Sequence, residues 1–88
     1  MNVKLLKFGA EWCGPCGVMD KRLENFDKCE LIKYSVDDDK NEELVDKYNI
    51  RNIPVLIIVN ADTDEELHRW AGLVSMDELN KKIDEFIS

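Results

Sequence analysis

The chain has 88 residues, 44% hydrophobic and 35% charged, with 12 basic against 19 acidic side chains and a net charge of −7. That length excludes a second core, and the apolar content excludes a disordered chain. An acidic surface repels nucleic acid and anionic membrane, and the longest aliphatic run, residues 55–59, is far short of the roughly 20 residues of a membrane helix, so neither is an expected partner.

In chain order, residues 3–8 read as a strand stopped by Gly9. From Cys13 to about Asp27, the recurrence of Val18, Met19, Leu23 and Phe26 predicts a helix. Residues 31–36 form a second strand. Asp39 and Glu42 suggest a capping box before a short helix whose stripe is Leu44, Val45 and Tyr48, with Asn49 as its stop. Pro54 opens residues 55–59, a strand apolar on both faces and therefore central. Residues 60–64 are a turn, residues 66–71 a further strand, and Gly72 ends it. Ser75 and Glu78 form a second capping box, ahead of a helix presenting Met76, Leu79, Ile83, Phe86 and Ile87 on one face.

The order β-α-β-α-β-β-α implies an α/β fold. A crossover joins the first two strands in parallel and a short turn joins the last two antiparallel, giving a mixed four-stranded sheet with helices on both faces. With no repeat or linker, residues 1–88 are expected to form a single domain. No basic, apolar and small-residue succession marks a secretory signal, so a cytoplasmic location is expected.

Three cysteines are too few, and odd in number, for a disulfide framework. Two of them stand in Trp12-Cys13-Gly14-Pro15-Cys16, which reads as redox or metal chemistry. Cys13 is expected at a helix start, where unpaired backbone N–H groups and the positive end of the helix dipole stabilise a thiolate. Lowering a thiol pKa from ~8.5 to ~7 raises the thiolate at pH 7 from roughly 3% to roughly 50%, but weakens each thiolate about fivefold as a nucleophile. The net gain in attack is about threefold, and the larger benefit is a better leaving group. Cys16, three residues on, shares that helical face one turn deeper and is the candidate resolving thiol. Gly14 admits a partner's backbone, and Pro15 suits a first helical turn. A buried pair of reduced thiols is the plain alternative, but packing does not explain Gly14-Pro15 between them.

The Trp12–Cys16 string at a strand–helix junction resembles the thioredoxin active site. Phe8-Gly9-Ala10-Glu11 is similar to the family's lead-in, Tyr48 to Pro54 to the approach to its cis-proline, and Ala71-Gly72 to the glycine turn before the last helix. The resemblance implies a minimal thioredoxin fold and a protein-disulfide reductase with no cofactor beyond a redox-active Cys13–Cys16 disulfide and no metal. It implies Cys13 as exposed nucleophile, Cys16 as resolving thiol and a cis Pro54 with the Ile53 backbone pairing a substrate strand. Trp12, Gly14, Pro15, Ile53, Pro54, Gly72 and Leu73 would form an apolar patch for extended or unfolded protein segments. The partners implied are disulfide-containing proteins and a thioredoxin-reductase-type flavoprotein donor, met by a monomer.

The chain departs from the family in four places. It starts one strand and one helix later than full-length thioredoxins. Lys7 stands where the family has a buried acid thought to accept the Cys16 proton. Either Lys7 reaches out to solvent, or with Lys33 it lies near the thiols, where a cation favours thiolate and a more oxidising couple. Gly9 replaces an aromatic and Gly17 a basic residue, leaving the rim more open and less positive.

Two rivals stand beside the reductase. A glutathione-dependent glutaredoxin lacks support, because its tyrosine-containing active-site string and glycine-pair motif are absent. A binding module would keep the fold without redox turnover. Cys29 is expected as a partly buried small residue, or a regulatory or dimer-forming thiol, His68 as a surface strand residue and Trp70 as half-buried packing. A Zn²⁺ site from Cys13, Cys16, Cys29 and His68 has the right ligand types but the wrong local context. Asp37, Asp38 and Asp39 read as a solvated loop.

Overall fold

Two strands carry mostly apolar side chains, and both lie inside the sheet. In the computed structural model, which describes residues 1–87, these are β1 (Val3–Gly9) and β3 (Val55–Asn60). Around them run α1 (Gly14–Arg22), β2 (Glu30–Ser35), a 3₁₀ turn (Asp39–Asn41), α2 (Glu42–Lys47), β4 (Glu66–Ala71) and α3 (Met76–Ile87). The sheet order is β2-β1-β3-β4, with β1 parallel to β2 and antiparallel to β3, and β3 antiparallel to β4. This is the expected mixed sheet with β3 in its interior.

Side chains alternate between the two faces along a strand. Leu5, Leu56 and Ile58 therefore meet Met19 of α1 and Leu79 and Ile83 of α3 on one face. Leu6, Phe8, Val55, Ile57 and Val59 meet Tyr48, Leu44 and Val45 on the other. By the same alternation, Lys7 falls on the Leu5 face, the side covered by α1.

Three local expectations are corrected. The first helix ends at Arg22 and not near Asp27, because the chain tightens into a turn in which Phe26 N–H bonds Leu23 O at 3.0 Å. Leu23 and Phe26 still pack on the core, so the periodicity outlasts the helix. Val18 is exposed, since the buried stripe of α1 runs through Cys16 and Met19. The Asp39/Glu42 capping box is absent: Asp38 accepts from Lys40 N–H at 3.1 Å to cap the 3₁₀ turn, and α2 follows without a side-chain cap.

Asn49 ends α2 with φ 52° as expected, and Tyr48 is its C-cap, its hydroxyl donating to Asp64 O at 2.8 Å. Half of the second capping box forms. Ser75 Oγ accepts from Glu78 N–H at 3.2 Å, while the Glu78 carboxylate accepts instead from Trp70 Nε1 at 2.6 Å.

Candidate active site

The chain leaves β1 at Gly9 and enters α1 at Gly14, and the two cysteines stand on that junction. Cys13 has extended backbone angles (φ −91°, ψ 111°) and occupies the cap position, where its sulfur accepts from Cys16 N–H at 3.2 Å. A sulfur thus sits where an oxygen usually satisfies a free helix-start amide. Pro15 in the first turn lacks an N–H that would have had no partner there. The two cysteines have Cα atoms 5.2 Å apart and are joined in a disulfide.

Cys13 is the outer sulfur and Cys16 the inner one, with 8% and 1% of their surfaces exposed. The expectation of an openly exposed Cys13 is corrected: its side chain turns in toward Cys16 and lies 4.0 Å from the Ile53 carbonyl oxygen. The Ile53–Pro54 bond is cis, and Pro54 is buried. Gly72, at φ 98°, donates its N–H to Pro54 O at 2.8 Å, which ties the turn before α3 to the segment facing Cys13. Only a residue tolerant of positive φ suits that turn. Leu73 beside it is 51% exposed and Trp12 70%; Gly14 and Pro15 are exposed and Ile53 half-buried. The Trp12 indole donates to Asp37 Oδ2 at 2.7 Å.

Lys7 does not reach solvent. It is 4% exposed, and its Nζ pairs with Asp20 Oδ1 at 2.9 Å. Lys33, its register partner on β2, reaches the same oxygen at 3.2 Å from a half-exposed position. Burial pushes the Asp20 carboxyl up, but its pairing with the Lys7 and Lys33 cations outweighs this and holds the pKa below the ordinary value. A methyl group on Gly9 would sit 2.7 Å from Lys7 Nζ and 3.1 Å from Cys16 Sγ, so glycine leaves the amine and the sulfur their space. Asp20 was not singled out by sequence; its signal was its place four residues after Cys16, on the same helical face. Nothing in the local pattern pointed to the Trp12–Asp37 bond.

Cys29 is half-buried against the Leu5 face, and burial, with Glu30 adding, pushes its thiol up to about 11. His68 is half-buried and lies edge-on to Trp70, with ring centroids 4.6 Å apart. Among the described residues no three His, Cys, Asp or Glu side chains are gathered to hold a metal ion, and no helix is long and apolar enough to cross a membrane.

The chain is similar to known proteins over most of its length. The chain is 37% identical over 63 residues to a thioredoxin of Bacillus subtilis, covering 66% of this chain and 59% of that protein. It is 31% identical over 88 residues to a thioredoxin of Chlorobaculum thiosulfatiphilum, covering 94% and 78%. It therefore spans about three fifths of the length of the first relative and about four fifths of the second. A mutant thioredoxin structure from Halobacterium salinarum superposes with a TM-score of 0.84 at 28% identity, covering 99% of this chain and 76% of that one. The thioredoxin family model matches residues 1–85, and with the sheet order and the Cys13–Cys16 disulfide at a helix start this places the chain in the thioredoxin family.

Proposed function

We propose that the chain is a thiol–disulfide oxidoreductase that reduces protein disulfides by cycling Cys13 and Cys16. The observation that carries this reading is the disulfide joining the residue that caps α1 to the residue one turn inside it. In the reduced state the Cys13 thiolate, held by the first-turn amides, attacks a substrate disulfide and expels one substrate thiolate. Cys16 then loses its proton, and its thiolate attacks Cys13 Sγ. The Cys13–Cys16 bond forms, the second substrate thiolate leaves, and two electrons have passed to the substrate. A thioredoxin-reductase-type flavoprotein would return them.

The Ile53 backbone beside Cys13 suits pairing with an extended substrate segment, and exposed Trp12 and Leu73 suit its apolar side chains. Family membership supports disulfide-bearing proteins as substrates, a monomer as the working form and the cytoplasm as its place. Turnover of a disulfide-bonded protein, driven by a flavoprotein reductase and separately by glutathione, tests the reading. Cys13→Ser is expected to abolish turnover, Cys16→Ser to accumulate a mixed disulfide on Cys13, and the reductase to outpace glutathione. Undiminished turnover by Cys13→Ser overturns it.

A further inference from the structure

A lysine side chain this buried is uncommon without a specific partner. Lys7 Nζ has one in Asp20 at 2.9 Å, and a second feature in the sulfur beside it. One point in space, the position a Gly9 Cβ would take, is 2.7 Å from Lys7 Nζ and 3.1 Å from Cys16 Sγ. Amine and sulfur are therefore no more than about 6 Å apart, the range over which a neighbouring charge stabilises an opposite one. Asp20 lies four residues beyond Cys16 on α1, so carboxylate and sulfur are neighbours on the helix, and the ammonium is near both.

We propose that Lys7 is an electrostatic partner of the resolving sulfur: held by Asp20 and given room by Gly9, it stabilises the Cys16 thiolate and makes the Cys13–Cys16 bond easier to reduce. The inference rests on the redox reading above. A donor dithiol gives two electrons to the Cys13–Cys16 bond and becomes a disulfide. In the reduced protein the ammonium favours the molecules in which Cys16 has given its proton to water and Cys16 Sγ carries the negative charge.

The cluster's charge decides the sign. Lys7 and Lys33 share one Asp20 oxygen, at 2.9 and 3.2 Å, which leaves one net positive charge beside the sulfur. A buried carboxylate in place of Lys7 would repel the thiolate. Lys33 and Asp20 are 48% and 43% exposed, so water screens them, while Lys7 is sheltered and acts at closer to full strength. An open cleft of about 790 Å³ reaches the Lys7, Asp20 and Lys33 side chains past Gly9 and Trp12. Glu11 and Asp37 also line this cleft, but both are exposed.

The test is the midpoint potential of the Cys13–Cys16 couple, read from the oxidised fraction in glutathione redox buffers at fixed pH. Lys7→Met is expected to shift the equilibrium at least tenfold toward the disulfide, about 30 mV more negative. Lys7→Gln serves if Lys7→Met does not fold. Gly9→Ala should shift it the same way by displacing the amine. That shift should vanish in a Lys7→Met background, whereas crowding of the sulfur would persist there. A pair that merely fills the core would change the melting temperature and leave the potential in place. If the wild-type couple cycles and the potential of the Lys7 variant is unchanged or higher, the inference fails alone. If the wild-type couple does not cycle, the oxidoreductase reading fails first.

Discussion

Cys29 shows how environment separates chemically identical thiols. At the start of α1, free amides favour a thiolate; against the Leu5 face, burial first and Glu30 second push the Cys29 thiol up to about 11. In the oxidised protein the other two cysteines are joined, so Cys29 is the free thiol. Its scarcity of thiolate at pH 8 outweighs the greater nucleophilicity of each thiolate. Alkylation followed by mass spectrometry should run roughly 20-fold slower than for an unperturbed cysteine peptide. An equal rate would mean that burial does not control this sulfur. The Lys7–Lys33 pair makes the same point for cations. Two like charges adjacent in register on one sheet face disfavour each other, and the shared Asp20 carboxylate makes the arrangement tolerable.

At the scale of elements, α3 shows what holds a helix on this sheet. Its acidic first turn suits the helix dipole, and Ser75 satisfies the Glu78 amide. Its inner face carries Leu79 and Ile83, both fully buried against β1 and β3. Packing should outweigh capping. Ser75→Ala is expected to cost about 1 kcal/mol and Ile83→Ala about 2–5 kcal/mol, read as shifts of the urea midpoint with unchanged slope. The reverse order would mean that the cap, and not the apolar face, anchors the helix. α1 is the contrasting case. It is nine residues long and exposes Val18, so its place depends on Met19 below it and on the disulfide at its start.

For the molecule as a whole, the sheet separates two apolar clusters, yet both are built on the same two strands. Leu5 and Leu6 are chain neighbours on opposite faces, as are Leu56 and Ile57. A chain of this size is expected to unfold as one unit. Met19→Ala on one face and Ile57→Ala on the other should each cost about 2–5 kcal/mol and shift one common transition. Tryptophan fluorescence, from Trp12 and Trp70, and far-ultraviolet circular dichroism should coincide. Two separated transitions would show the faces unfolding independently.

Local spacing determined the order of the elements, the central place of residues 55–59 and the thiol pair at a helix start. Period and punctuation are properties of neighbouring residues, and the Trp12–Cys16 string lies within one turn of chain. Helix ends were less legible, because the turn after Arg22 keeps Leu23 and Phe26 on the core and imitates a continuing helix. The surroundings of Cys16 were decided only in three dimensions. Lys7 could be read as solvent-seeking until β1 lay under α1 and its register set Lys7 beside Lys33. Asp20 then met both amines because the helix crosses above them, and Gly9 mattered because ammonium and sulfur converge on its missing side chain. Those contacts join residues from three separate elements, and their distances follow from how the elements pack, which no local pattern in the chain specifies.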